Sequence, residues 1–244
     1  MEWVRAFYEK QQQWADVCSG SVRNVHRRRA ALIVCPRRKP PYRILELGCG
    51  GGQSAVALAE LGHEVVGLDV LPAVIAHAQR LANGVPGGSV SFIETDFYEY
   101  RSNRPFDIVC YFDGFGIGSD SDQRHLLELV SSWLRPTGRA FLDVYNPDYW
   151  EQQVGNEMSW SDVSRRYGYD RSERRMLDTW WPTGHPEKAV TQTLRCYRPE
   201  ELEALIEETR LSLVEVTRCA EYDAPGTKSD PESAMQYRAV LRRE

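Results

Sequence analysis

A glycine-rich segment follows a short apolar run near residue 45. The run Arg43–Leu47 predicts a buried strand that carries Glu46 near its end, and glycines follow it at positions 48, 50, 51 and 52. Glycine is needed where a backbone turns tightly and approaches a ligand closely, and a helix that starts there offers free N–H groups. The segment therefore predicts a site for a ligand that bears lone pairs or negative charge.

Acidic residues stand at the ends of the next two predicted strands. Asp69 ends the second strand, where its carboxylate is placed to accept hydrogen bonds from both hydroxyls of a ribose. Asp96 follows the third strand as a carboxylate for an exocyclic amine, and Phe97 beside it is an aromatic ring for stacking. In open α/β sheets, ligands bind at the carboxyl ends of the strands. The three strand ends together predict a nucleoside site.

Aromatic residues flank a third acid, which follows the fourth predicted strand and which we expect to contact a substrate. Asp113 follows the fourth predicted strand and lies between two aromatic residues. Two tryptophans occur together later in the chain, on a run where strand alternation turns only one ring inward. The candidate substrate-contacting residues are Phe112, Asp113, Phe115, Tyr145, Trp180 and Trp181.

A reaction at this site needs a base only if the attacking atom is protonated at neutral pH. The candidates for that role are Asp113, Tyr8 and His26. His26 stands beside the arginines at positions 27–29 on a predicted N-terminal helix, and Tyr8 lies on the helix before it.

Alternating strands and helices position these residues. From residue 41 to 145 the alternation predicts a parallel sheet with helices on both faces, and it returns over residues 199–244. Residues 1–40 read as a helical lid. Residues 146–198 interrupt the alternation, hold four of the seven tryptophans and include two strand-like runs. We interpret this segment as a substrate cap, and we expect the N-terminal helix to close the opposite side.

Composition narrows the class of protein. The formal net charge of −5 argues against a general polyanion binder, although residues 21–43 hold eight Lys or Arg and no acid. The six cysteines form no CxxC pair and have no zinc-ligand spacing, which predicts neither disulfide nor metal. We expect a cytoplasmic protein without a membrane segment, as a monomer or homodimer.

A series of ordered motifs resembles the class I S-adenosylmethionine-dependent methyltransferases. The series is ELGCGGG at 46–52, GLDV at 67–70, ETDF at 94–97, FDIV at 106–109 and LRPTGRAFLDV at 134–144. The resemblance implies a Rossmann-like sheet of seven strands in the order 3-2-1-4-5-7-6, with the last strand antiparallel. The segment 146–198 is similar in position to the strand-rich caps of small-molecule methyltransferases that act on natural products and amines.

The resemblance also implies a cofactor, S-adenosylmethionine, with S-adenosylhomocysteine as its product. The residues implied for cofactor binding are Glu46, Gly48, Cys49, Gly50 and Gly52 at the methionine end, Asp69 at the ribose, Val70, Leu71, Asp96 and Phe97 around the adenine, and Tyr111 near the sulfonium. Gly51 departs from the family, which often has Thr or Ser at that position.

Several functions stay open at this point. The main hypothesis is methyl transfer to a small molecule, with a nitrogen, oxygen or carbon acceptor. An RNA or tRNA methyltransferase would use the basic segment 21–43, but the fourth strand is not followed by Asn-Pro-Pro-aromatic. A non-catalytic protein that binds the same cofactor is an alternative of another class. An NAD-dependent dehydrogenase is disfavoured because the glycines lack the GxGxxG spacing.

Overall fold

The computed structural model describes residues 2–34, 41–160, 162–219 and 234–244. Its strands are β1 (Arg43–Leu47), β2 (Glu64–Asp69), β3 (Ser89–Glu94), β4 (Phe106–Tyr111), β5 (Leu134–Tyr145), β6 (Glu157–Trp160), β7 (Val163–Asp170), β8 (Arg175–Pro182), β9 (Val190–Arg195), β10 (Leu211–Arg218) and β11 (Gln236–Arg243). Its helices are α1 (Glu2–Ala15), α2 (Asn24–Ile33), α3 (Gln53–Glu60), α4 (Pro72–Leu81), α5 (Asp120–Trp133), α6 (Pro147–Gln152) and α7 (Pro199–Ile206).

Seven strands form the main sheet in the order β3-β2-β1-β4-β5-β11-β10. The five strands from β3 to β5 are parallel, and β11 is antiparallel to both of its neighbours. With the strands of this sheet numbered by themselves, the order is 3-2-1-4-5-7-6. The predicted Rossmann-like fold is therefore confirmed, including its antiparallel last strand.

Period-2 alternation divides the main sheet's apolar side chains between two cores. Leu45, Leu47 and Val109 pack on one face, whereas Ile44 and Ile108 pack on the other. The central strands can be this apolar because helices cover both faces of the sheet. Burial of both faces fixes the strand register, which in turn fixes where the strand ends lie.

A second, antiparallel sheet forms the cap in the order β6-β7-β8-β9. The sequence predicted only the two later strands. The alternation of apolar and polar residues did not indicate β6, because all four of its residues are exposed. It did not indicate β7 either, because arginines occupy positions 165 and 166.

Helix α1 packs directly against the cap. Phe7 is buried in one cluster with Val163 and Trp180, and Trp14 packs at its edge. The expectation that α1 closes the side opposite the cap is therefore wrong, since apolar residues of both form one continuous roof. Of the predicted lid, residues 35–40 lie outside the described chain. Within the part that the structure describes, no helix is both long and apolar enough to cross a membrane.

Candidate active site

The turn between β1 and α3 needs glycine for two reasons. Gly48, Gly50 and Gly52 have φ values of +57°, +52° and +81°, which side chains of L-residues rarely allow. A Cβ on Gly52 would also lie 2.6 Å from Cζ of Phe92. Gly48 and Gly50 border the cavity described below. Gly52 directly precedes α3 and packs against Phe92 instead.

Asp69 joins the glycine turn to the end of β2. Its carboxylate accepts hydrogen bonds from the backbone N–H of Gly50 at 2.9 Å and of Leu71 at 3.0 Å. Burial raises the pKa of Asp69, and these backbone donors oppose that rise. At the end of β3, Asp96 accepts from the N–H of Tyr98 at 3.0 Å. Both carboxylates are thus held at the carboxyl edge of the sheet by local backbone donors.

A cavity of about 900 Å³ opens at this edge, between the sheet, α1 and the cap. This volume lies at the upper end of the range for small-molecule sites. Of the sequence-predicted residues, it brings together Tyr8, Gly48, Gly50, Asp69, Val70, Leu71, Asp96, Phe97, Tyr111, Phe112, Asp113, Tyr145 and Trp180.

Asp113 lies at the deep side of this cavity, just after β4. Its φ of +60° is unusual for a residue other than glycine, although Asp tolerates this conformation better than most. Tyr145 donates its hydroxyl hydrogen to Asp113 Oδ1. Asp113 lines the cavity, and desolvation by the surrounding residues raises the pKa of its carboxylate. Burial and the charge of Asp113 also raise the pKa of Tyr8.

A smaller cavity of about 210 Å³ adjoins the large one at the glycine turn. Glu46, Cys49 and His26 line it, together with Asp113. Glu46 is 3% exposed, and its Oε2 has no hydrogen-bond partner within the described chain. Burial raises the pKa of Glu46 to about 8.

Arg29 also lines the smaller cavity, and sequence reasoning missed it. Its guanidinium donates to Ser54 Oγ at 3.0 Å and lies 4.6 Å from the centre of the Phe112 ring. A helical signal existed, because Arg29 shares a face of α2 with Val25 and Ile33, four residues away on either side. Among the arginines at 27–29, this spacing singles out Arg29 as the one that turns inward.

His26 is poorly suited to accept a proton. Its Nδ1 accepts a hydrogen bond from the backbone N–H of Arg23 at 3.0 Å, which caps the start of α2. Burial and the neighbouring charges of Arg29, Arg23 and Arg27 lower its pKa to about 4. Its predicted role as a base stays a prediction, and the geometry gives it a structural task.

The segment between α1 and α2 is bound to the glycine turn. Gln53 Nε2 donates to the backbone oxygens of Cys18 at 2.7 Å and of Gly20 at 2.8 Å. A Cβ on Gly51 would lie 1.8 Å from the Cys18 oxygen. The absence of Thr or Ser at position 51 therefore makes room for the N-terminal segment.

A buried polar cluster faces the cavity from the cap. Arg165 donates to both carboxylate oxygens of Asp178, at 2.6 and 2.8 Å, and Gln192 Nε2 donates to Asp178 at 2.9 Å. Asp178 shares the inward face of β8 with Trp180, which is 2% exposed and lines the cavity. Sequence reasoning missed this cluster because its members come from three different strands.

Two predicted substrate residues lie elsewhere. Trp181 is on the other face of β8, with the Arg166 guanidinium 5.7 Å from its ring centre, as alternation requires for the neighbour of Trp180. Phe115 is 1% exposed and packs against Tyr197 in the core of the main sheet, with ring centres 5.7 Å apart. Neither residue borders the two cavities described above. The chain bends at Asp113, whose φ is +60°, and turns at residues 115–116, and Phe115 points into the core.

Comparisons with known proteins agree with this geometry. The family model of a methyltransferase domain matches residues 44–138. The cypemycin N-terminal methyltransferase of Streptomyces sp is 32% identical over 132 residues, which cover 52% of this chain and 51% of that protein. The chain thus matches about half the length of this curated relative.

Solved structures resemble almost the whole chain. The CcbJ methyltransferase of Streptomyces caelestis has a TM-score of 0.73 at 20% identity, over 94% of this chain and 95% of that one. The S-adenosylmethionine-bound amino pentose methyltransferase CalS10 of Micromonospora echinaspora has a TM-score of 0.60 at 18% identity, over 100% and 97%. At these identities the likeness shows the fold.

The strand order, the glycine turn and the acids at the strand ends define the class I methyltransferase fold. Residues 44–138 match the model of a methyltransferase domain, and the main sheet has the strand order of the class I S-adenosylmethionine-dependent methyltransferases.

Proposed function

We propose that the protein is a methyltransferase that transfers a methyl group from S-adenosylmethionine to a small molecule. One observation carries this proposal: a single cavity joins the glycine turn and the strand-end acids to Asp113 and the roof of cap and α1. A nucleoside site and an enclosed acceptor site are thereby continuous, as group transfer between two bound molecules requires.

The residues at the carboxyl edge fit the cofactor. Gly48 and Gly50 leave the turn open for a ligand backbone, and Asp69 keeps a fixed carboxylate at the cavity wall. In this proposal Cys49 supports the turn, and Val70, Leu71, Asp96 and Phe97 surround the adenine. The unpaired Glu46 Oε2 suits a cationic group at the methionine end, and Arg29 suits the carboxylate there.

The chain contributes enclosure, orientation and a proton acceptor. When bound, S-adenosylmethionine supplies a methyl group that is already activated by the sulfonium. Holding two reactants in line contributes up to about 7–11 kcal/mol to the rate of a group transfer. The roof of α1 and the cap covers one side of the cavity, and Tyr111 lines it. Asp113, which accepts a hydrogen bond from Tyr145, would receive the proton that leaves the acceptor.

The activities of similar proteins support a small acceptor. The cypemycin relative is an N-terminal methyltransferase, and CalS10 is an amino pentose methyltransferase. The cap and the enclosed cavity of this chain are consistent with acceptors of that size.

The basic segment offers little support for a nucleic-acid substrate. Arg27 is paired with Glu60, at 2.8 Å, and Arg43 with Glu64, at 2.9 Å. Arg29 turns towards the smaller cavity. Positions 35–40 lie outside the described residues. A filter-binding titration with tRNA should show no binding at physiological salt, and tight binding with a steep salt dependence would favour the RNA alternative.

Calorimetry with S-adenosylhomocysteine tests the cofactor half of the proposal. The wild-type protein should bind one S-adenosylhomocysteine per chain and should not bind NAD. A variant with Gly48→Val, which fills the cavity edge, should lose binding, whereas Gly20→Ala, whose Cβ would meet nothing within 4 Å, should keep it. No binding of S-adenosylhomocysteine to the wild type would refute the proposal.

A further inference from the structure

Asp113 is a cavity-lining carboxylate that forms no ion pair among the described residues. Within the described residues, Tyr145 is its only hydrogen-bond partner, and no ion pair includes it. Arg29 and Arg165 both influence it electrostatically, but the Arg29 guanidinium donates to Ser54 Oγ, and the Arg165 guanidinium is bound in bidentate fashion to Asp178. Burying an unpaired charge is costly, so a built-in carboxylate of this kind favours a ligand that brings the opposite charge.

The charged residues around the cavity also favour a ligand with a positive charge. Its acids are Asp69, Glu94, Asp96, Glu99 and Asp113, and its only cations in the described chain are Arg5 and Arg165, of which Arg165 is already neutralised by Asp178. The first four acids lie at the ends of β2 and β3, on the proposed cofactor side. Asp113 alone carries the charge of the acceptor side.

Aromatic rings complete the wall on the acceptor side. Tyr8, Tyr145, Trp160 and Trp180 line the same cavity, and such rings attract cations through their faces. An anionic acceptor would be repelled by Asp113, and a neutral hydroxyl would gain only one weaker hydrogen bond from it.

The cap contributes two polar atoms that have no hydrogen-bond partner within the described chain. Asp178 can only accept, so Gln192 must turn its amide nitrogen to it, which leaves Gln192 Oε1 as an acceptor. Gln192 Oε1 and Trp180 Nε1 are both buried and make no hydrogen bond within the described chain, although both side chains line the cavity. Unpaired polar atoms just behind this wall make its surroundings polar, which favours a polar ligand over a lipid-like one.

We infer that the acceptor is an amine, bound as its ammonium ion by Asp113, with Tyr145 as a positioning residue. The inference rests on the proposed function and adds the substrate class. Asp113 takes one proton from the ammonium, and the freed nitrogen lone pair forms the new C–N bond as the C–S bond breaks. The sulfur leaves as a neutral thioether, the N-methylammonium product carries the positive charge, and the proton on Asp113 passes to solvent.

The test uses three probes with one aromatic body and different charge: benzylammonium, benzyl alcohol and benzoate. Each is titrated calorimetrically into protein saturated with S-adenosylhomocysteine. The wild type should bind benzylammonium about 10- to 100-fold more tightly than benzyl alcohol, the range that a charge-assisted hydrogen bond supplies. Asp113→Asn, which keeps the shape and tolerates the same φ, should lose this preference. Asp162→Asn, an exposed acid on the cap, should keep it.

The same variants separate this inference from its rivals. If Asp113 instead binds the amino group of the cofactor, Asp113→Asn will weaken the binding of S-adenosylhomocysteine, and the inference is wrong. It is also wrong if benzyl alcohol or benzoate binds as tightly as benzylammonium, or if none of the three binds at millimolar concentration. Failure of S-adenosylhomocysteine to bind the wild type would overturn the proposed function itself.

Discussion

Replacing Gly51 with alanine should release the N-terminal segment from the glycine turn. The new Cβ would lie 1.8 Å from the Cys18 oxygen, whereas real Cβ contacts stay above 3.0 Å. The Cys18 backbone must therefore retreat by about 1.2 Å, the difference between these two distances. The bond from Gln53 to Cys18, now 2.7 Å, would then exceed hydrogen-bonding distance.

The structure sets the size of the effect. Two hydrogen bonds hold the segment, from Gln53 to Cys18 and to Gly20, and each contributes roughly 0.5–1.5 kcal/mol net. Their loss corresponds to about 1–3 kcal/mol, or roughly a 5- to 150-fold shift towards an undocked segment. The turn itself should keep its shape, because Gly51, unlike Gly48, Gly50 and Gly52, does not have a left-handed φ.

Hydrogen exchange and cofactor release measure this shift. Gly51→Ala should speed amide exchange over residues 16–22 and raise the dissociation rate of S-adenosylhomocysteine. Gly20→Ala is the matched control, because its Cβ would meet nothing within 4 Å in the same segment. Gln53→Ala should produce the same phenotype and should add little to Gly51→Ala. The reasoning is refuted if Gly51→Ala and Gly20→Ala behave alike in both assays.

Three further predictions concern the cofactor, the cap and pH. Asp69→Ala should weaken S-adenosylhomocysteine by about 1.5–3 kcal/mol, since it removes a charged acceptor; wild-type affinity in calorimetry would exclude Asp69 from the site. Trp180→Ala should lower acceptor turnover at unchanged cofactor affinity, whereas Trp181→Ala should lower only the melting temperature; equal loss of cofactor binding in both, at unchanged melting temperature, would contradict a substrate-selecting cap. The pKa of Glu46 is raised from 4.5 to about 8 in the folded protein. Between pH 5 and 8 the unfolded chain has therefore released this proton while the folded protein still holds it, so the free energy of unfolding of the cofactor-free protein should fall as the pH rises. Glu46→Gln should shrink that difference in unfolding free energy by a few kcal/mol, and an unchanged difference in thermal unfolding at the two pH values would show that Glu46 is not its source.

Site residues that lie on a single strand, or directly after its end, could be predicted from the sequence. The glycine turn, Asp69 and Asp96 follow apolar runs directly, so the alternation of the main sheet places them at one edge. The period-2 rule also predicted that only one of Trp180 and Trp181 turns inward, and the structure shows that it is Trp180.

Features that depend on long-range side-chain pairing were not predictable. Arg165, Asp178 and Gln192 meet only when three cap strands pair, and no local pattern marks them as a cluster. Phe115 was misplaced because the bend at Asp113 and the turn at residues 115–116 redirect the chain. The packing of α1 against the cap follows from two apolar surfaces that are far apart in the sequence.

Methyl transfer from S-adenosylmethionine with a deuterated methyl group tests the central claim most directly. The protein is incubated with an extract that contains small molecules, RNA and proteins, and each fraction is analysed by mass spectrometry. We expect a labelled methyl group on a low-molecular-mass amine, and Asp69→Ala should lower this labelling. Label confined to the RNA or protein fraction, or no label despite cofactor binding, would contradict the account.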